Sequence, residues 1–397
     1  MIVQIGFSDV VRICNEDEEI NFIGLAVTLQ QANAIEAELV KRKILGKNTR
    51  GLILIVPHYK TGKLLSKDNF FDLDKEISVY SFNPKKDRQN VYSLLKERWY
   101  ALKSSFLESI KDDDNRIIYV ALPAINYQWL RVIEKSIPKT KVVYIRLDDG
   151  GASYINQFID GWNMIGRDEY SISNFLMLLK LICNVSFAKI LIKGLAINNR
   201  LIDNRLFNKK YGRFIRNKEI APYYDVIYKK IGAKINPDII KRFEGAVVIN
   251  TQCLKESNIT DGKADFLLYK RLVRALLEKN MKVIIKTHPR ELDTDKYERL
   301  GCDVYTDIQY SQECIIAATK QRPICIVSLF SSTLLNISSI FDIPAISVAN
   351  VMRNDYIINK TCKSYLDDYI KGYGSVVEFP SSVEEIVCFV CGLRIQE

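Results

Sequence analysis

Apolar residues along this chain fall in short continuous runs separated by stretches with helical spacing, and the alternation predicts elements over most of its length. In the first half, NFIGLAVT (21–28), GLILIVPH (51–58), ISVYSF (77–82), RIIYVALP (116–123) and KVVYIRL (141–147) read as strands. Between them QQANAIEAELVKRK, VYSLLKERWYALKSSFLESI and YQWLRVIEKSI read as helices. Strands apolar on both faces belong in a parallel sheet covered by helices on either side. The pattern restarts at Gly245, with strands GAVVINT (245–251), KVIIKT (282–287), CDVYTD (302–307), PICIVSLF (323–330) and PAISVANV (344–351). Helices over KADFLLYKRLVRALLEKN, QECIIAATK and STLLNISSIFD carry the i, i+3, i+4 stripe between them. The expected fold is therefore α/β, with two facing Rossmann-like domains, parallel sheets and a cleft between them. Residues 1–165 would form the first domain, 166–244 a helical basic connector, and 245–397 the second domain.

Charge narrows the choice of partners only a little. Lys plus Arg number 57 against 47 Asp plus Glu, a formal charge of +10 that suits anionic ligands, an acidic membrane surface or nucleic acid. No nucleic-acid recognition motif accompanies it, so nucleic acid is not expected. Twelve of the cations, against three carboxylates, lie between Lys189 and Lys234. Within that stretch RLFNKKYGRFIRNK (205–218) interleaves aromatics with cations, a composition suited to an anionic membrane surface, to a long anionic glycan, or simply to a solvated face. The nine scattered cysteines, an odd number, are expected as reduced thiols. Cys388 and Cys391 are expected on a buried helix face whose start Ser382 and Glu385 would cap. The start of the chain lacks a basic segment followed by an apolar core, so no signal peptide is expected. The longest apolar run, Phe175 to Phe187, is broken by Lys180 and Asn184 and is too short to span ~30 Å of hydrocarbon. A cytoplasmic protein is expected, soluble or peripheral on the inner face of the cytoplasmic membrane.

Three strand ends carry candidate chemistry. RLDDGG (146–151) places Asp148 and Asp149 after an apolar strand, where alternation lets only one of them reach a given face. KTHPRE (286–291) holds His288, one of only two histidines, in an extended conformation imposed by Pro289, with Lys286 and Arg290 beside it to attract an anion. A bound phosphate would favour the imidazolium, a proton donor to a leaving phosphate. SLFSST (328–333) sets Ser331, Ser332 and Thr333 at a helix start, where hydroxyls, unpaired N–H groups and the macrodipole form an anion site. Each has an ordinary alternative: an acidic turn, a surface histidine, a plain N-cap. The second and third belong to neighbouring βα units, so their loops are expected on one rim. Asp112-Asp113-Asp114 precedes a strand and reads as a solvated loop rather than a metal-binding DxD.

In order and spacing these motifs resemble the bacterial sialyltransferases of the lipooligosaccharide and capsule type, which use CMP-sialic acid on a GT-B scaffold and are related to the polysialyltransferases. AVTLQQANAIEAEL (26–39) is similar to the first βα unit of that family. The resemblance implies an acceptor domain first and a nucleotide-donor domain second. It implies Asp148 or Asp149 as general base and His288 as the group that protonates or hydrogen-bonds the leaving phosphate. Ser331, Ser332 and Thr333 would hold that phosphate, and Asn250, Thr251, Gln252, Lys286 and Pro289 would contact the nucleotide. One departure stands out: some family members carry an acid in the loop after the first strand of the second half, whereas here it reads NTQCLKE with Glu256 as the nearest acid. The implied reaction is inverting and needs no metal or other cofactor, with a cell-surface glycan or glycolipid as acceptor. A transferase using CMP-Kdo or a CDP-polyol, in capsule or teichoic-acid synthesis, is the alternative, and a non-catalytic carbohydrate- or lipid-binding protein is a third reading.

Overall fold

The computed structural model describes residues 3–57, 65, 70, 73–83, 91–107, 116–123, 128–148, 172–210, 213–255, 263–307, 309–356, 360–374 and 376–396. The chain divides into two compact units, one of Met1–Asp149 with Asp160–Arg205, the other of Gly150–Ile159 with Leu206–Glu397.

In the first unit the described strands are β1 (Gln4–Ile5), β2 (Phe22–Ala26), β3 (Gly51–Ile55), β4 (Ile77–Phe82), β5 (Arg116–Leu122), β6 (Thr140–Arg146) and β7 (Leu201–Asp203). They form one all-parallel sheet in the order β1-β4-β3-β2-β5-β6-β7. From β2 the chain winds to one side through β3 and β4, then reverses to β5, β6 and β7, a doubly wound sheet with its switch point between β2 and β5. The apolar runs read from sequence are the five central strands; β1 and β7 are added at the edges.

The N-terminal helix Phe7–Glu16 is also new relative to the sequence pattern. Phe7 packs edge-on against Phe82 at 5.1 Å and Trp129 at 4.9 Å, which ties the start of the chain to the core. Arg116 gathers its far end, donating to the carbonyls of Cys14, Asp17 and Ile20 at 2.7, 2.8 and 2.9 Å. The Cys14 carbonyl lies in the last helical turn, where carbonyls lack an intrahelical partner, and Ile20 lies in the segment that leads into β2.

One charged network lies wholly inside this unit. Arg200, just before β7, is fully buried and paired with Glu134 of the helix Gln128–Ser136. Its guanidinium also donates to the Val142 carbonyl of β6 at 2.9 Å and to Ser104 Oγ of the helix Val91–Leu107 at 3.0 Å. Ser104 in turn donates to Glu134 Oε2 at 2.6 Å, and the Val142 N–H to Glu134 Oε1 at 3.2 Å. Every strong acceptor of the carboxylate is thus met from a different element, the condition under which a buried pair is tolerated.

The second unit holds an antiparallel hairpin, β8 (Phe207–Lys210) with β9 (Arg213–Arg216), and a sheet of β10 (Val247–Asn250), β11 (Val283–Lys286), β12 (Asp303–Tyr305), β13 (Cys325–Ser328) and β14 (Ala345–Ser347). Its order, β12-β11-β10-β13-β14, is again parallel and doubly wound, reversing between β10 and β13. Val247, Ile249, Val283, Ile285, Cys325 and Val327 face a core shared with the helices Lys263–Leu277 and Val383–Gln396. Residues 166–244, expected as a helical connector, supply the helix Ile172–Ile197 and β7 to the first unit. To the second they give the hairpin and the helices Ala221–Gly232 and Pro237–Phe243.

None of the eight cysteines whose side chains are described is in a disulfide. Ser382 caps the last helix as expected, its Oγ accepting from the Glu385 N–H at 3.2 Å. Cys388 is exposed rather than buried, because it falls on the solvent side of a helix that buries Val383, Ile386 and Val390. No described helix is long and apolar enough to cross a membrane.

Candidate active site

Parallel strands present their C-terminal ends on one rim, and three of those ends in the second unit carry the expected chemistry. Register places Lys286, Asn250, Ser328 and Ser347 in one row across β11, β10, β13 and β14. Residues in such a row share a face, here the one opposite the large core. The row crosses the switch point, where doubly wound sheets bind their ligands.

Asn250 is the odd member of the row. It is 5% exposed, yet among the described residues neither its amide nitrogen nor its amide oxygen has a hydrogen-bond partner. An enclosed amide left unpaired is costly and rare in native proteins. The place of Asn250 at the switch point makes it a candidate ligand contact. Its neighbours are settled: Ser328 Oγ donates to the Asn250 carbonyl at 2.9 Å, and Gln252 Nε2 donates to Ser328 Oγ at 3.3 Å.

His288 follows β11, beside β10. The Arg290 N–H donates to its Nδ1 at 3.1 Å, so in the neutral ring the proton sits on Nε2. With Nδ1 accepting a backbone N–H, Nε2 is the ring nitrogen that can donate outward. The loop itself is pinned from below. Thr251 Oγ1 accepts the His288 N–H at 3.0 Å and donates to Glu291 Oε2 at 2.5 Å. Glu291 Oε1 accepts from Tyr297 Oη at 2.7 Å and pairs with the Lys296 ammonium at 3.0 Å. Burial, with Glu291 beside it, holds the Tyr297 hydroxyl well above the ordinary tyrosine range, so it stays a donor. Thr251 was expected at the nucleotide; its buried hydroxyl is engaged in holding the histidine loop. Glu291 and Tyr297 escape a reading of the sequence, where Glu291 looks like one more charge in a basic loop.

On the other side of β10, Ser331 caps the helix Ser332–Phe341 by accepting the Thr333 N–H at 3.2 Å. This leaves its hydroxyl proton for an acceptor outside the helix. Ser332 and Thr333 are half-buried in the first turn, and Pro289 is exposed on the histidine loop. His288 and the helix start thus flank the end of β10 on one rim, as expected. In the first unit Asp148 ends the stretch after β6 and is wholly buried. Asp149, the two following glycines, Asp112–Asp114, Glu256 and His58 lie outside the described residues.

A family model for alpha-2,8-polysialyltransferases matches residues 28–350. The chain belongs to that family. It is a glycosyltransferase of the sialyltransferase kind, acting with a sugar-nucleotide donor and a glycan acceptor. No curated protein sequence matches it significantly. Among solved structures, the GT-B domain of a sialyltransferase from Photobacterium damselae is similar over 90% of this chain and 99% of its own, at 10% identity and a TM-score of 0.39. A UDP-GlcNAc 2-epimerase from Methanocaldococcus jannaschii is similar over 94% and 92%, at 9% identity and a TM-score of 0.42. The wall teichoic acid polymerase TagF is similar over 98% and 94%, at 9% identity and a TM-score of 0.37.

For this polysialyltransferase-family chain, Lys286 is the cation of the polar row. Burial lowers its pKa, while Glu313 and Asp307 pull the other way. A base whose folded pKa is depressed carries its cost below that pKa, so the cost is present at neutral pH and fades as pH climbs into the lysine range. Lys286→Met is therefore expected to stabilise the ligand-free protein at pH 7, with the gain shrinking at alkaline pH. The sugar-nucleotide donor should bind the variant about tenfold or more weakly. Melting curves across pH and a nucleotide titration read both effects; a variant that loses stability and keeps its nucleotide affinity contradicts the assignment.

Proposed function

We propose that this protein transfers sialic acid from CMP-sialic acid to a hydroxyl of a cell-surface glycan, a lipooligosaccharide or capsular polysaccharide, with inversion at the anomeric carbon. The observation that carries the reading is the rim of the second sheet. There the unpaired Asn250 amide lies at the switch point between the His288 loop and the helix that Ser331 starts.

Asn250, Gln252 and Lys286 contact the nucleotide. The first-turn N–H groups at Ser332 and Thr333, with the Ser331 hydroxyl, receive its phosphate. His288 donates Nε2–H to the phosphate as the glycosidic bond breaks. CMP leaves as a phosphate monoester with a second pKa of about 6, so near neutrality it departs without a full proton. Hydrogen bonds fixed in advance stabilise that charge, and no metal is called upon. One of Asp148 and Asp149 removes the proton of the acceptor hydroxyl, which attacks from the side opposite the leaving group.

A donor screen tests this directly. Release of CMP from CMP-sialic acid in the presence of a sialylated acceptor, unaffected by a chelator, is the expected result. Turnover of CMP-Kdo or CDP-glycerol instead would move the chain to the other cytidine-activated transferases.

A further inference from the structure

Two helices of the first unit show solvent a face that a soluble protein normally hides. In the helix Val91–Leu107 the exposed positions include Lys96, Trp99, Lys103 and Phe106, spaced as one stripe, with Trp99 70% exposed. Its one carboxylate, Glu97, is buried. The helix Ile172–Ile197 contains no Asp or Glu at all. On it Leu179, Ile182, Ile190 and Ile197 are exposed at 41, 39, 50 and 61%, with Lys189 and Lys193 among them.

The two stripes adjoin. A Cβ placed on Gly194 would lie 2.9 Å from the Phe106 ring, so that ring rests on the backbone between Ile190 and Ile197. Further up, the Arg98 guanidinium donates to Asn184 at 2.6 Å and sits 5.4 Å from the Phe187 ring. The pair therefore runs side by side and exposes Trp99, Phe106 and the isoleucines together.

Isolated exposed apolar residues need no explanation, but a contiguous set does. Two observations select the occupant. Among the described residues, the exposed charges on the two helices are all lysines, on long stems that can bury while the ammonium stays wet. A large amphipathic aromatic stands among them, as in helices that lie in a membrane interface. A second copy of the chain would bring the same uncompensated lysines against these. We infer that the helices Val91–Leu107 and Ile172–Ile197 form a docking face for an anionic lipid bilayer, lying in its surface rather than crossing it. This face is separate from the basic segment 205–218 and is independent of the donor assignment.

The test uses the whole chain with vesicles of phosphatidylcholine alone or mixed with phosphatidylglycerol. Sedimentation with the mixed vesicles only is expected, with a blue shift of Trp emission that Trp99→Phe removes. Ile190→Ser with Trp99→Ser should weaken binding about tenfold or more, because both apolar side chains are withdrawn from lipid. Lys189→Glu with Lys193→Glu should abolish the preference for the anionic lipid. All four sites are exposed, so melting temperatures should barely move, and the Trp99→Phe emission experiment stands without any of these variants. The proposal is overturned if these changes leave sedimentation intact while Lys209→Glu with Lys210→Glu abolishes it. It is equally overturned if they split a dimer in size-exclusion chromatography and vesicles never bind.

Discussion

Replacing His288 by alanine is expected to lower turnover of CMP-sialic acid about 10²–10³-fold, the usual effect of removing one preorganised donor to a developing anion. Folding should survive. The loop backbone is held by Thr251 and Glu291, and the alanine variant gives up the Arg290 N–H bond to Nδ1, worth ~0.5–1.5 kcal/mol. The geometry also separates hydrogen bonding from proton transfer. His288→Gln, which can place an N–H near the same point, should regain part of the loss. Steady-state rates of CMP release check all of this, and undiminished turnover by the alanine variant would end the assignment.

The largest effect on stability is expected far from that rim. Arg200→Met should cost about 3–5 kcal/mol, because it strands the Glu134 carboxylate in an interior where Ser104 and Val142 alone remain to it. For a unit of this size that corresponds to a melting temperature lower by roughly 6–20 °C. The charge left behind, more than the contact removed, is what costs. Adding Glu134→Gln to Arg200→Met should therefore restore much of the loss, since the remaining amide still bonds to Ser104 and Val142. Calorimetry of the two variants decides it: equal destabilisation of single and double variants would mean that the pair is not coupled.

The parallel strands were legible because a strand covered on both faces is apolar at every position, and ten such runs stand out in the sequence. What escaped was short or edge-placed. β1 is two residues long and pairs only as Gln4 with Ser81 and Ile5 with Phe82, too brief for any period. β8 and β9 sit in the basic stretch read as mostly helical, where FNKK and RFIR carry no clean alternation. In the candidate site, residue identity and spacing pointed to His288 and Ser331, and Asn250 came only with the family resemblance. They could not reveal that the Asn250 amide is unpaired, that Nδ1 of His288 is already bonded, or that Glu291 is an enclosed hub. Those are consequences of what lies across the sheet, and nothing local in the sequence encodes it.

The Glu134–Arg200 network has a consequence for the newborn chain. The two partners are 66 residues apart, and the strand that Arg200 introduces, β7, closes the edge of its sheet. At ~5–20 residues per second the ribosome delivers the arginine about 3–13 s after the glutamate. Until then the helix Gln128–Ser136 cannot settle against β6 without enclosing a lone carboxylate. The first unit should consequently remain open to chaperones and proteases until residues 200–205 emerge, and a nascent chain stalled before that point should be digested where one stalled after it resists.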